Sequence, residues 1–286
     1  MTLMTASPTP GARVLMTGIA FGESPRWHDG RLWFCDWSAE EVVALDLDGR
    51  SEVVARVHSF PFSIDFLPDG RLLIVSARDR ALLRREPDGS LVTHLGLDRA
   101  YNEIVVDGRG SVYLNGAGFD LMAGAQFAPG GVTLVTPDGS IRRVAEGIAF
   151  PNGMAVTPDG ATLIVADSYG RELTAFDIAA DGGLANRRVW AALGDGVPDG
   201  ICLDAEGAVW YADVPNRRCV RVREGGHVLQ TVEFDRGCFA CMLGGPDGRT
   251  LFVVTREWRG FEQANDGSRT GQVVAVAAPA PHAGRP

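Results

Sequence analysis

A strand motif opened by glycine recurs six times along the 286-residue chain and limits its fold more than any other feature. Successive glycines are separated by 40, 40, 50, 47 and 41 residues. Each opens a short run of β-branched, aliphatic and aromatic residues, which is typical of a strand that follows a turn. The glycines are Gly30, Gly70, Gly110, Gly160, Gly207 and Gly248. Internal repeats of this length indicate a radial or stacked array of strands.

Further strands complete each repeat except the last. A third strand follows in all six repeats and a fourth in the first five, whereas the sixth repeat ends without one. The segment Ala12–Thr17 can supply the missing strand. We therefore predict an all-β fold, a six-bladed β-propeller over residues 12–278 whose ring is closed by an N-terminal strand, which leaves no unprotected sheet edge. Residues 1–11 and 279–286 are predicted to be flexible tails.

One residue in each repeat occupies the same position, seven or eight residues before the glycine. These six register residues are Glu23, Ser63, Asn102, Asn152, Asp199 and Ala240. They begin the strands that would line the central channel, so radial symmetry brings them together at one mouth of it. Four of the six carry carboxylate or carboxamide oxygens, which are hard ligands. The pattern predicts a cation site for Ca²⁺, Mg²⁺ or Mn²⁺, and the absence of His and Cys argues against a typical zinc site.

Composition excludes several classes of partner. The net charge of −9 comes without a basic stripe, so nucleic-acid binding is not expected. No apolar run approaches the roughly 20 residues that span a bilayer, and Met1–Gly18 lacks a basic region leading into an apolar core, so neither a membrane span nor a secretory signal is predicted. Five cysteines are an odd number and too few for a disulfide framework in a chain of this length. We expect a cytoplasmic protein.

Four short motifs make the chain recognisable. They are Gly22-Glu23-Ser24-Pro25, Tyr101-Asn102-Glu103, Phe150-Pro151-Asn152-Gly153-Met154 and Pro198-Asp199-Gly200. Together they resemble the senescence marker protein (regucalcin)/gluconolactonase family of metal-dependent lactonases, over nearly the whole chain. The resemblance implies one divalent metal, Ca²⁺ first with Zn²⁺, Mg²⁺ or Mn²⁺ as alternatives, held by Glu23, Asn152 and Asp199. It further implies that Asn102 binds substrate and that Asp199 is the general base.

One departure from the family pattern concerns the substrate. The sugar-lactone enzymes have an arginine two residues before the position of Asn102, where this chain has Ala100. Aromatic residues occur near several strand starts, and we expect Tyr101, Phe150 and Phe239 to contact the substrate. The segment Phe119–Gly130 interrupts the third repeat and is expected to form a lid. A lactone or ester less polar than a sugar lactone is therefore predicted.

The predicted chemistry is hydrolysis of a small-molecule lactone or related ester. A divalent cation polarises the carbonyl, and Asp199 accepts a proton from water and returns it to the leaving alkoxide. No Gly-x-Ser-x-Gly motif supports a serine mechanism. Two alternatives stay open: a metal-dependent lyase, isomerase or cyclase on the same scaffold, and a noncatalytic calcium-binding propeller. The pair Cys238 and Cys241 is expected to pack in the core.

Overall fold

A computed structural model describes residues 11–120, 123–260, 263 and 266–284. In this part of the chain, 24 strands form six four-stranded antiparallel sheets, and a 3₁₀ turn occurs at Trp37–Ala39. Each sheet is one blade, and the first strands of neighbouring blades contact one another around a central axis. The six-bladed β-propeller predicted from the repeats is confirmed. No helix among these residues has the length and apolar character needed to cross a membrane.

The innermost strands begin at or beside the register residues. They are β2 (Gly22–His28), β6 (Phe62–Phe66), β10 (Glu103–Val106), β14 (Pro151–Val156), β18 (Pro198–Leu203) and β22 (Gly237–Gly244). The second strands, which contain the aliphatic and aromatic runs, are β3 (Arg31–Asp36), β7 (Leu72–Ser76), β11 (Val112–Gly116), β15 (Thr162–Asp167), β19 (Val209–Asp213) and β23 (Thr250–Arg256).

The two outer strands of each blade differ in burial, because most third strands are largely buried whereas the outermost strands are largely exposed. The third strands are β4 (Glu41–Leu45), β8 (Ala81–Arg85), β12 (Gly130–Val135), β16 (Glu172–Ile178), β20 (Arg218–Val222) and β24 (Gly271–Ala277). The outermost are β5 (Ser51–Arg56), β9 (Leu91–Gly96), β13 (Ile141–Ile148), β17 (Leu184–Ala192), β21 (Val228–Glu233) and β1 (Arg13–Ile19). Blade one is β2–β5, and blade six is β22–β24 with β1.

The N-terminal strand closes the ring as predicted. Strand β1 pairs antiparallel with β24, from Arg13 opposite Ala275 to Ile19 opposite Gly271. This pairing covers the edge of β24 that would otherwise be exposed. Between blades one and six, the rings of Trp27 and Phe252 stack at 5.2 Å with an interplanar angle of 10°. Closure therefore combines a backbone ladder with a packed apolar interface.

The segment after β24 lies against the turns of blades five and six. The amide of Ala205 donates to the oxygen of Pro281 at 2.8 Å, and the amide of Ala283 donates to the oxygen of Leu203 at 3.1 Å. His282 forms an isolated bridge with Asp204. The flexibility predicted for residues 279–286 stays a prediction, and the N-terminal tail lies almost wholly outside the described residues.

Candidate functional site

β-Bulges occur in the innermost strands where the predicted metal ligands lie. The pairing with the second strand shifts between Glu23 and Arg26, between Pro151 and Met154, and between Pro198 and Ile201. A fourth bulge lies in blade six, between Cys238 and Ala240. In blades two and three, the innermost strand pairs with the second strand in continuous register. Because a bulge interrupts strict alternation and re-aims side chains, these shifts direct Glu23, Asn152 and Asp199 differently from residues of a regular strand.

Glycines that follow two of the predicted ligands let the innermost strands approach closely. A Cβ atom on Gly153 would lie 2.6 Å from the backbone oxygen of Asp199. A Cβ atom on Gly200 would lie 2.4 Å from the Cβ of Ala240. A side chain at either position would push neighbouring blades apart. The Asn-Gly and Asp-Gly pairs are thus explained by backbone packing around the channel.

Polar side chains link the backbones of adjacent blades at the level of the register residues. The hydrogen bonds run from Ser63 Oγ to Asn102 O (2.6 Å), from Asn115 Nδ2 to Asn152 O (2.6 Å) and from Ser168 Oγ to Pro198 O (2.7 Å). Neither Asn115 nor Ser168 was predicted from the sequence. Both lie at the ends of second strands, beside the channel mouth, and that position is the signal that could have identified them. These bonds fix the backbone from which the predicted site residues project.

Two aspartates that end second strands, Asp36 and Asp167, attach the chain leading into the site. The Asp36 carboxylate accepts hydrogen bonds from the amides of Ala20 (3.0 Å) and Phe21 (2.7 Å). In blade four, Asp167 accepts hydrogen bonds from the amides of Ala149 and Phe150, both at 2.9 Å. Asp213, which ends the second strand of blade five, instead accepts hydrogen bonds from the side chains of Asn216 and Arg218. Cys238 and Cys241 are buried free thiols, in agreement with the predicted packing role.

The carboxylates of Glu23 and Asp199 interact across the channel mouth. Burial raises the pKa of Glu23 well above its usual value, and repulsion from Asp199 and Glu103 adds to the effect. Desolvation likewise raises the pKa of Asp199, with repulsion from Glu103 next, while a hydrogen bond with the Asn152 side chain acts in the opposite direction. The structure therefore brings these three predicted ligands to one place, where negative charge is concentrated.

This donor set fits a hard divalent cation. Two carboxylates and one carboxamide offer oxygen donors, and a cation between them would relieve both the repulsion and the cost of burial. Among the described residues, no three His, Cys, Asp or Glu side chains are arranged to hold a metal ion. A metal at this mouth would therefore need the oxygen of Asn152 as its third protein donor.

Glu103 is a third carboxylate near the site, and no role was predicted for it from the sequence. Its side chain is buried, and its carboxylate accepts a hydrogen bond of 3.3 Å from Ser63 Oγ. Burial raises its pKa to about 7, although the nearby Arg26 guanidinium opposes this shift. Glu103 immediately follows Asn102 in the motif Tyr101-Asn102-Glu103. Two successive polar residues at the start of an innermost strand were therefore the sequence signal that could have identified Glu103.

The predicted substrate residues lie in different surroundings. Asn102 is half-buried, and its amide donates to the oxygen of Asn115 at 2.7 Å. Tyr101 is buried in the core between blades two and three, with its hydroxyl 2.8 Å from Asp98 Oδ1. Phe239 is buried against Phe21, at 5.0 Å between ring centroids. Their roles in substrate binding stay predictions.

Phe150 belongs to a group of four rings that we call the aromatic platform: Phe119, Phe127, Phe150 and Tyr169. Phe150 and Tyr169 stack at 4.6 Å with an interplanar angle of 27°. Phe127 and Tyr169 are 53% and 50% exposed, which is unusual for aromatic residues of this size. Phe119 and Phe127 come from the predicted lid segment, of which residues 121 and 122 lie outside the described residues.

The aromatic platform adjoins the candidate ligand Asn152. Phe150 precedes Asn152 by two residues on the same chain segment, and Tyr169 follows Ser168, whose Oγ is 3.5 Å from Asn152 Nδ2. The exposed rings of the aromatic platform therefore lie beside the predicted metal ligands. Such an arrangement can bind an apolar group while oxygen ligands act on a polar one.

Comparison with known proteins identifies the family. The model described as SMP-30/Gluconolactonase/LRE-like region matches residues 21–257, and the chain belongs to this family. Regucalcin from Xenopus laevis is 27% identical over 285 residues, which cover 92% of this chain and 95% of the relative. Pentonolactonase XacC from Haloferax volcanii is 24% identical over 267 residues, which cover 90% of this chain and 89% of the relative.

A solved structure shows the same fold. The structure of a calcium-binding protein, regucalcin, from Agrobacterium tumefaciens superposes with a TM-score of 0.80 at 23% sequence identity. The match covers 99% of this chain and 98% of that one. The family predicted from the four motifs and the fold predicted from the repeats are therefore both confirmed.

Proposed function

We propose that the protein is a divalent-cation-dependent hydrolase that opens a lactone, or a related ester, at the mouth of the propeller channel. The observation that carries this proposal is the convergence of Glu23 and Asp199, two mutually repelling carboxylates, with Asn152. Membership of a family whose relatives include a pentonolactonase supports lactone hydrolysis as the reaction.

The cation would be held by Glu23, Asn152 and Asp199, and when bound it would supply Lewis-acid polarisation of the ester carbonyl. We propose Ca²⁺ first, because all three donors are hard oxygens, with Zn²⁺, Mg²⁺ and Mn²⁺ as alternatives. The regucalcin names of relatives agree with calcium. Asn102, on the neighbouring blade, would orient the substrate beside this set.

Asp199 is proposed as the general base. Its carboxylate would accept a proton from the attacking water and return it to the leaving alkoxide, which stays attached to the product when a lactone opens. A desolvated carboxylate is a stronger base than one in water, and the direction of the Asp199 pKa shift agrees with this role. The hydrogen bond with Asn152 orients the carboxylate.

We further propose a substrate that is less polar than a sugar lactone. The half-exposed rings of Phe127 and Tyr169 offer an apolar surface on which an aliphatic or aromatic substituent can pack. Ala100 offers no hydrogen-bond donor at the position where the sugar-lactone enzymes have arginine. A polyhydroxylated ring would leave its hydroxyl groups unpaired against such a surface.

The test is a panel of lactones and esters offered to chelator-treated protein, with each divalent metal added back separately. We expect metal-dependent hydrolysis, with aliphatic or aromatic lactones opened faster than gluconolactone. Mass spectrometry distinguishes the competing chemistries, because hydrolysis adds one water to the substrate whereas a lyase, isomerase or cyclase adds none. Metal-loaded protein that hydrolyses no member of a broad panel would contradict the proposed function.

A further inference from the structure

Glu103 begins the innermost strand of blade three, directly after the register residue Asn102. Together with Ser24, Arg26, Gly153 and Gly200 it lines a cavity of about 10 Å³, which has room for about one water molecule. The two glycines directly follow the predicted ligands Asn152 and Asp199. The cavity therefore adjoins the backbone of the ligand set, and Glu103 is one of the residues that line it.

The positive charge nearest to Glu103 is already engaged. Arg26 donates from Nη1 to the oxygen of Pro25 (2.9 Å) and from Nη2 to the oxygen of Ile104 (2.7 Å). Its Nε lies 3.5 Å from Oδ1 of Asp65. Because the single positive charge of Arg26 is shared between Asp65 and Glu103, it compensates the negative charge of Glu103 only in part.

The carboxylate of Glu103 acts on the ligand set through space. It repels the carboxylates of both Glu23 and Asp199. Yet Glu23, Asp199 and Glu103 do not form a three-carboxylate metal group within the described part of the chain. Glu103 is thus close enough to act electrostatically and is turned instead towards the Ser63 hydroxyl.

We propose that Glu103 is an outer carboxylate that strengthens binding of the divalent cation without being one of its ligands. The inference rests on the cation site of the proposed function. A buried negative charge attracts a divalent cation over several ångströms, because the protein interior screens the interaction less than water does. Glu103 is therefore a positioning residue for the cation, supported by Ser63, and separate from the groups that would touch substrate.

The experiment is isothermal titration calorimetry of the full-length, chelator-treated protein with CaCl₂, repeated with the chlorides of Mg²⁺, Mn²⁺ and Zn²⁺. Glu103→Gln keeps the shape of the side chain and removes its charge, so we expect the cation Kd to rise roughly 10–100-fold. Glu103→Asp retains the charge and should keep the Kd within a few-fold of wild type. Circular dichroism establishes that each variant is folded.

Asp204→Asn is the matched control. Asp204 is also a buried carboxylate, but its side chain pairs with Arg221 at 2.6 Å on the turn after β18, away from the mouth. Its replacement should leave the cation Kd unchanged. If the cation Kd of Glu103→Gln lies within twofold of the wild-type value, the role proposed for Glu103 is wrong but the cation site is not contradicted. If the wild-type protein binds none of the four cations, the proposed cation site is wrong too.

A crystal structure of the cation-loaded wild-type protein gives an independent measurement that does not depend on the folding of a variant. A Glu103 oxygen beyond the coordination distance of about 2.6 Å, with Glu23, Asn152 and Asp199 inside it, supports an outer role. A Glu103 oxygen within that distance makes it a ligand and contradicts the proposal.

Discussion

The side-chain amide of Asn115 donates a hydrogen bond of 2.6 Å to the backbone oxygen of Asn152, joining blade three to blade four at the candidate site. The other end of the same side chain, Oδ1, is buried and has no hydrogen-bond partner among the described residues. Asn115 is therefore held by its bond to Asn152. Its role is to fix the backbone of a predicted metal ligand.

We predict that Asn115→Ala lowers the free energy of unfolding by about 1–3 kcal/mol, because it removes a buried hydrogen bond. Cation affinity should fall with it, since Asn152 loses its backbone anchor. Urea denaturation and calorimetry measure the two effects. Ser90→Ala, which removes an exposed hydrogen bond to Asp88, is the control and should change neither quantity appreciably.

For Asp199→Asn we expect partial retention of the cation together with a loss of rate. The carboxamide oxygen can still coordinate, but it cannot accept the proton, a function worth roughly 10²–10⁴-fold in rate. Elemental analysis and kcat on the best substrate of the lactone panel check both parts. Unchanged kcat in the metal-loaded variant would remove Asp199 as the base.

Gly200→Ala should separate blades five and six. The added Cβ would overlap the Cβ of Ala240 at 2.4 Å, and overpacking of this kind costs about 1–3 kcal/mol or more. Because Gly200 follows Asp199, cation affinity should decrease too. Gly96→Ala, where no atom lies within 4 Å of the added Cβ, serves as the control in the same denaturation experiment.

Ionisation of Glu103 should make the chelator-treated protein less stable as the pH rises. Its folded-state pKa of about 7 exceeds the ordinary value of 4.5, so the folded state binds the proton more tightly than the unfolded state does. The resulting stabilisation is complete below the ordinary pKa and is lost as the pH passes the folded-state value, by roughly 3 kcal/mol in total. Glu103→Gln cannot lose this contribution. The free energy of unfolding, measured between about pH 4 and 8, should therefore fall more steeply with pH for wild type than for Glu103→Gln. The same pH dependence in both proteins would contradict the raised pKa of Glu103.

Tyr169→Ala should raise KM for aromatic lactones while leaving the cation content unchanged. The substitution removes a half-exposed ring that stacks on Phe150 and offers a surface to the substrate. Loss of an aromatic contact of this kind costs about 0.5–1.5 kcal/mol, which corresponds to a roughly 2- to 12-fold increase in KM. Steady-state kinetics on an aromatic lactone and on gluconolactone measure the difference. Equal effects on both substrates would argue against an apolar platform.

The fold could be predicted from the sequence because its signals are local and repeated. Each turn glycine and each following apolar run indicates a strand within a few residues, and counting the repeats counts the blades. The unpaired third strand of the last repeat required a partner, which Arg13–Ile19 provides. Radial symmetry then placed Glu23, Asn152 and Asp199 at one mouth without any knowledge of distances.

Only the tertiary structure determines the contacts between blades. Asn115, Ser168 and Glu103 act on residues of neighbouring blades, and their partners depend on how closely the innermost strands approach and where bulges interrupt alternation. The same dependence explains why Tyr101 lies buried between two blades while Tyr169 is half-exposed at the aromatic platform. A local pattern places a residue on a strand, but the packing of one blade against the next determines what its side chain touches.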